Sequence, residues 1–410
     1  MAPILIERFL NIRLDAGVSL KTAVENVKAI GTALKRAERC PTVSGWPLPF
    51  DARAHWGQRC RMLWRFGFFP VRTLFFLMAP ILSGQEAPNF GGGTRPEPLG
   101  PCVPLGDRLR INRDIRAFFE RNPEAALRSP PSGAQRYPFF PQAGQIWGDL
   151  FPNNFVDLNN SSGVLDYNGT DYTYNDHHGI DTDICTFTEK NIGVPVFAAL
   201  DGVITSLHDG EPDENISQPN VPANYVVLSH GGTHDTWYYH LKNGSVAVSP
   251  GQHVKAGQQL GLTASSGFSS GPHLHFESRF AGTYYEPFTG ASNPGTSGWV
   301  NQPAFRGEMY VRDFNITTED LSSWYGPPID TTRIGTFRMG SRNHKFWFIA
   351  QSFPASSTYR IRYLRPNGSV ANSNDSGSFG NAAFFKWSYW WFSRTISFNV
   401  TGTWTLELSI

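Results

Sequence analysis

Residues 272–280 read PHLHFESRF, and the reading of the whole chain turns on them. Side chains alternate across a strand with period two. His273 and His275 therefore point to one side, with Leu274 on the other, and Glu277 shares the histidine face. Such a strand brings one metal ligand and one acid–base group to the same place. A plain polar strand face would read the same way, because His-x-His is a common metal signature without being a specific one. The texture continues on the N-terminal side as VPVFAAL (194–200), GVITSLH (202–208), YVVLSH (225–230) and DTWYYHL (235–241). The hairpin-type dipeptides Asp201-Gly202, Gly231-Gly232 and Asn243-Gly244 separate these runs. No helix-length periodic segment occurs between 137 and 410. The expected fold class is mainly β. It comprises a small antiparallel β-sheet groove over 137–300, a C-terminal β-sandwich over 305–410, and short helices near the N-terminus.

The C-terminal expectation rests on KFWFIAQSF (345–353), TYRIRYL (358–364), FFKWSYWWF (384–392) and TWTLELSI (403–410). In the last run Trp404, Leu406 and Leu408 alternate with Thr403, Thr405 and Glu407, as in a half-buried strand. The aromatics Phe346, Trp347, Phe348, Trp387, Tyr389, Trp390 and Trp391 would fill the sandwich core or stack on sugar rings. The second use would make this domain an accessory that binds cell wall or carbohydrate.

The 410 residues suit two or three domains at about 150 residues each. Forty glycines and thirty prolines indicate many turns. Thirty-five Lys+Arg against thirty-four Asp+Glu leave a net charge of +1, which supplies no electrostatic case for nucleic acid. That balance hides a basic head: Met1–Arg72 hold twelve Lys+Arg and five Asp+Glu. The head ends in an apolar run. In 62–87 (MLWRFGFFPVRTLFFLMAPILSGQEA) Arg65 and Arg72 precede the uncharged Thr73–Leu82, and small or polar residues follow. That order matches a secretory signal, and the run is too short and too broken by proline to span a bilayer. A buried core helix is the competing reading. Met62 is then the expected initiator, and 1–61 an extension or a start-site artefact, although 15–39 has helical spacing. The protein is expected to be secreted, or periplasmic within the cell envelope. Residues 88–136 read as a Pro/Gly-rich linker followed by one or two short helices.

Four cysteines are too few for a disulfide scaffold. With Cys40 and Cys60 removed by processing, Cys102 and Cys185 could pair in an oxidising compartment.

The remaining chemistry lies in histidines. In DHHGID (176–181), His177 and Asp181 are four apart, which returns both to one face of a strand. An ordinary hydrogen-bonded pair would look alike, and a shifted register would offer His178 with Asp183. His240 sits in TWYYHL, where Tyr238 shares its face. His208, His230, His234 and His253 read as structural or surface residues, with His230 nearest the groove.

Taken in order, these motifs resemble the lysostaphin-type, LytM-like zinc endopeptidases of bacterial peptidoglycan. The likeness runs through GVPVFAA (193–199), Asp201-Gly202-Val203, His230, YYHL (238–241), GQHVKAGQ (251–258), Gly261 and SGPHLHF (270–276). It covers about 137–300. The resemblance implies that His177, Asp181 and His275 hold one Zn2+ per chain. It implies that His240 and His273 are catalytic and unligated. Three protein ligands leave a tetrahedral position for water, as a catalytic zinc needs. Glu277 could orient a histidine from behind. The substrate implied is a peptide of peptidoglycan, a stem or a cross-bridge. The small-residue loop Ala264–Gly271 suits the frame of a groove. A catalytically silent peptidoglycan-binding or regulatory module, and a secreted protease of Gly-rich proteins, are the alternatives. Residues 88–136 could also cover the groove, with Asp107, Asn112 or Asp114 reaching the metal.

Overall fold

A computed structural model describes residues 10–14, 90–93, 100–126, 136–321, 330–332, 335–380 and 384–410. The signal-like segment 62–87, the helical spacing in 15–39 and all of the extension 1–61 except 10–14 lie outside the described residues. Every described residue falls within one compact unit formed by 1–15 and 88–410.

The N-terminal elements are β1 (Leu10–Leu14), β2 (Phe90–Gly93), α1 (Leu105–Arg121) and α2 (Pro123–Ala126). The middle of the chain holds β3 (Phe151–Asn154), β4 (Ile180–Asp183), α3 (Phe187–Ile192), β5 (Pro195–Phe197), β6 (Gly202–His208), β7 (Tyr225–Ser229) and β8 (His234–Tyr239). It continues with β9 (His253–Val254), β10 (Gln259–Leu262), β11 (His273–Phe280) and β12 (Thr283–Tyr285). The C-terminal part holds β13 (Tyr310–Thr317), β14 (Gly340–Phe353), β15 (Thr358–Leu364), β16 (Val370–Ser378), β17 (Phe385–Phe398) and β18 (Gly402–Ser409). The protein is mainly β, and every ladder among the described strands is antiparallel.

The central sheet has the order β3-β4-β11-β8-β7-β6-β9, with β12 beside β11. Register decides which side chains share a face. His275 lies opposite both Asp181 and Tyr239, and Tyr239 lies opposite Tyr225. These residues are therefore on one side. Ile180, Leu274, Phe276, Tyr238, Val226 and Leu228 are on the other, inside the main core with Tyr137, Phe288 and Trp299.

The side bearing His275 is covered as well. In α1 the buried residues Asp107, Ile111 and Phe118 return to one stripe at helical spacing. Ile111 and Val103, with half-buried Ile115, pack on Ala223, Tyr225, Val227, Trp237 and Tyr239. Polar ties fix the helix along the sheet. Asp107 accepts from the Ala223 N–H (3.2 Å), and Asp114 accepts from the Ser206 hydroxyl (3.1 Å).

Two four-stranded sheets make up the C-terminal part, in the orders β1-β18-β15-β16 and β13-β14-β17-β2. Their apolar residues share one cluster, including Phe348, Phe392, Phe398, Ile361, Tyr363, Trp404 and Leu406. Trp347, Trp387, Tyr389 and Trp391 form a second cluster with Leu321 and Ile349. All seven aromatics that sugar stacking would have needed are buried. One edge strand comes from the stretch read as linker: Phe90–Gly93 pairs with Phe392–Tyr389. Glycine permits that approach, since a Cβ on Gly91 would lie 2.6 Å from the Trp391 ring and one on Gly92 2.2 Å from the Tyr389 carbonyl.

The C-terminal part also braces the strands that carry the site. Arg312 donates to the Asp183 carboxylate (3.1 Å), the Gln351 amide to the Pro152 carbonyl (3.2 Å), and Lys386 to the Asn154 side chain (3.3 Å).

Candidate metal centre

Three of the predicted residues meet at the β4–β11 ladder. The side chain of Asp181 leaves β4 directly opposite His275 on β11, and its Oδ1 is 2.7 Å from His275 Nδ1. His177 comes from the turn before β4. Its Nε2 lies 3.1 Å from Asp181 Oδ2 and 3.2 Å from His275 Nδ1. Gly179 lets that turn lie against His275, because a Cβ there would come within 2.8 Å of the imidazole.

The other two predicted residues lie beside these three. His273, two residues before His275, has its Nε2 3.7 Å from Asp181 Oδ1. His240 follows β8 in the left-handed region (φ 65°), a costly backbone state that turns its ring towards His273, 4.4 Å away between centroids.

Backbone carbonyls set the histidine tautomers. His177 Nδ1–H donates to the Phe155 carbonyl (2.7 Å), His240 Nδ1–H to Ser266 (2.7 Å) and His273 Nδ1–H to Gly271 (2.8 Å). A carbonyl only accepts, so Nδ1 keeps its hydrogen in each of these rings and Nε2 is the nitrogen left to take a metal or a proton. His275 is reversed: its Nε2 faces the Glu277 carboxylate (3.2 Å), which also takes the Arg279 guanidinium (2.5 Å). The Ala264–Gly271 loop thus supplies the carbonyls that hold both flanking histidines.

Residues not foreseen complete the site. Cys102, from the segment before α1, has its Sγ 3.7 and 3.8 Å from the two Asp181 oxygens and 2.9 Å from the Tyr174 hydroxyl. Asn154 donates to Asp181 Oδ2 (3.1 Å). Pairing of Cys102 with Cys185 is not found, and both cysteines are free. The thiol is turned into the histidine cluster instead. Of the groups considered for covering the metal, Asp107 and Asp114 are spent on the sheet and join no metal-capable group among the described residues, and Asn112 is exposed. The shifted register also fails. His178 stacks on Tyr284 and bonds Asp176 (2.7 Å) and Arg108 (2.5 Å), while Asp183 takes Arg312. His230 sits in the hairpin turn at the end of β7–β8 opposite to His240, roughly 15 Å along the strands, and bonds the Asp201 carbonyl (2.8 Å).

The charges indicate what the centre can hold. Burial opposes ionisation of Asp181, yet His177 and His273 hold its carboxyl well below the usual range. Burial likewise opposes charge on His177, but Asp181 outweighs it and lifts the ring to about 9. Glu277 is held at about 2 despite burial, chiefly by its bond to His275. His240, by contrast, is pushed down by burial and by His273. This buried set needs positive charge at its middle, which a cation supplies as well as protons do. Its donors are two imidazole nitrogens, one carboxylate and one thiol, all within 4.8 Å of one another. The Nε2 atoms of His240 and His273 are buried without a hydrogen-bond partner. Imidazole, carboxylate and thiolate together suit zinc or a similar transition metal.

Residues 175–287 match the profile of Peptidase family M23. The chain carries an M23 peptidase domain. Among similar curated proteins, a peptidoglycan DD-endopeptidase of Vibrio cholerae, ShyA, is 40% identical over 190 residues, covering 42% of this chain and 37% of that one. An uncharacterised metalloprotease of Haemophilus influenzae is 33% identical over 136 residues, covering 33% of this chain and 25% of its own. Lysostaphin of Staphylococcus simulans is 28% identical over 170 residues, covering 40% of this chain and 31% of its own. The chain therefore spans only about a quarter to three-eighths of these relatives. The solved catalytic domain of that lysostaphin has a TM-score of 0.20 at 27% identity, covering 33% of this chain and 86% of the other. A metallopeptidase domain of this family implies a metal, and the His/Asp cluster is where the chain could hold one.

Proposed function

We propose that the protein is a zinc metallo-endopeptidase that hydrolyses peptide bonds in the stems or cross-bridges of bacterial peptidoglycan. One observation carries the reading: two buried imidazole Nε2 atoms without a hydrogen-bond partner lie beside a His/His/Asp cluster that could hold a metal.

In this reading His177 Nε2, Asp181 and His275 Nδ1 hold the zinc. Bound there, zinc would polarise a scissile carbonyl and lower the pKa of a coordinated water towards about 7. The chain supplies the rest. His240 stays neutral at physiological pH because burial and His273 disfavour its charged form. Its bare Nε2 can accept a proton. The Nε2 of His273, 3.7 Å from Asp181, can carry one and donate it to a developing oxyanion. Their Nδ1–H bonds to Ser266 and Gly271 keep both rings in register. Glu277 and Arg279 fix the ring of His275 from behind. Peptidoglycan as substrate is favoured by the named activities of relatives such as ShyA and lysostaphin. The reading requires export, which the apolar segment 62–87 would direct.

The test uses full-length Cys102→Ala, in which no thiol lies among the ligands, incubated with purified peptidoglycan. New peptide ends, identified by mass spectrometry, are expected. His240→Ala and His273→Ala in that background should keep the metal and lose about 10²–10⁴ in rate. A metal-loaded Cys102→Ala chain that releases no peptide ends would overturn the proposal.

A further inference from the structure

We propose that Cys102 is a fourth protein ligand of this metal, and that the segment 100–126 thereby holds the peptidase in a closed, latent state. The inference rests on the zinc reading above and goes beyond it.

A catalytic zinc keeps one position for water, whereas a site closed by four protein ligands is structural. Here the open position is taken. Cys102 Sγ, His177, Asp181 and His275 place one donor atom each within 4.8 Å of one another. With bond lengths of about 2.0–2.3 Å, donors of a tetrahedral zinc stand about 3.5 Å apart. The 3.7 Å from Sγ to Asp181 fits that edge.

The flanking imidazoles give a second observation: the Nε2 atoms of His240 and His273 are buried, have no hydrogen-bond partner, and lie within 4.8 Å of the same thiol. The sulfur therefore lies close to both the ligands and the two flanking histidines, where water and a scissile carbonyl would have to enter.

The segment is built to keep it there. Cys102 and Val103 are 5% and 1% exposed although they precede the domain in sequence. Arg108 clamps the turn, donating to the Val103 carbonyl (3.2 Å) and bonding His178 Nδ1 (2.5 Å), the neighbour of a ligand. Ile111 then seals the aromatic strip of Tyr225, Trp237 and Tyr239. Substrate would need this same face of the sheet. Opening is a ligand exchange. The metal–sulfur bond breaks, the thiolate takes a proton from solvent, and a water molecule fills the position.

The test is zinc-edge X-ray absorption on the full chain loaded with zinc alone, wild type beside Cys102→Ala. The wild type should show one sulfur at about 2.3 Å with nitrogen and oxygen at about 2.0–2.1 Å. The alanine chain should retain one zinc, lack the sulfur and digest peptidoglycan at least ten times faster. The wild-type spectrum decides the matter even if the variant folds poorly. Zinc bound through nitrogen and oxygen alone in the wild type would overturn the proposal and leave the zinc-peptidase reading standing. No zinc in either chain would overturn both.

Discussion

Replacing Ile111 with alanine asks whether α1 lifts from the sheet as a cover or unfolds only with the domain. Ile111 is fully buried against Val103, Ala223, Tyr225, Val227, Trp237 and Tyr239. Shortening a buried isoleucine to alanine costs about 2–5 kcal/mol, and a site next to a movable helix collapses well enough to sit near the lower figure. If α1 lifts alone, the whole loss falls on the closed–open equilibrium. A change of about 2 kcal/mol is about 30-fold. The assay is the rate at which a thiol reagent modifies Cys102 in metal-free protein, with Cys185→Ser removing the second thiol among the described residues. When reclosing outpaces the reagent, that rate follows the open population. Ile111→Ala should therefore react about 30-fold faster. Leu228→Ala is the control, since Leu228 is equally buried but lies in the core on the opposite face. It should lower the global unfolding midpoint while changing Cys102 labelling by less than about twofold. Equal acceleration by both substitutions would show that the thiol is freed only by global unfolding and would refute the cover.

Glu277→Gln removes the carboxylate behind His275 and should weaken zinc binding about 10–100-fold in chelator competition, with unchanged affinity counting against its role. Gly179→Ala puts a Cβ 2.8 Å from both the His275 ring and the Phe276 carbonyl, so the ligand turn must move; lower zinc affinity is expected, and a wild-type titration would contradict it. His344, buried in the C-terminal part, is held by burial at about 4. An unfolded chain protonates this residue below about 6.5. Its contribution is thus complete above pH 6.5 and is lost as pH falls towards 4, about 3 kcal/mol in all. His344→Gln should flatten the fall in urea midpoint between pH 7 and pH 4 relative to wild type, and parallel curves would rule out that assignment.

Much of the site was legible because its spacing is local. Period two in 272–280 puts His273, His275 and Glu277 on one face, and the ladder adds Asp181 opposite His275. The half-buried pattern of Trp404, Leu406 and Leu408 likewise needs only alternation, and Trp404 and Leu406 are buried in the cluster shared by two sheets. What escaped depends on contacts across long separations. Cys102 lies 79 residues from Asp181, and no periodicity links a cysteine between two prolines to a strand that far away. Asn154 reaches the site only because β3 pairs with β4 and turns its amide towards Asp181. Phe90–Gly93 looks like linker because its glycines carry no strand propensity; their use is to let the chain approach the Trp391 ring and the Tyr389 carbonyl. His230 shares a family-like motif, but its position at the far turn of the hairpin follows from strand length and not from motif order.

The proposed peptidase requires a metal held by His177, Asp181 and His275. Elemental mass spectrometry of the full chain, dialysed free of loose metal, tests this most directly when wild type is compared with Asp181→Ala. About one zinc per chain in the wild type, and less than about a tenth of that in the variant, is the predicted result. A wild type without bound metal, or an Asp181→Ala chain that keeps its full complement, would contradict it.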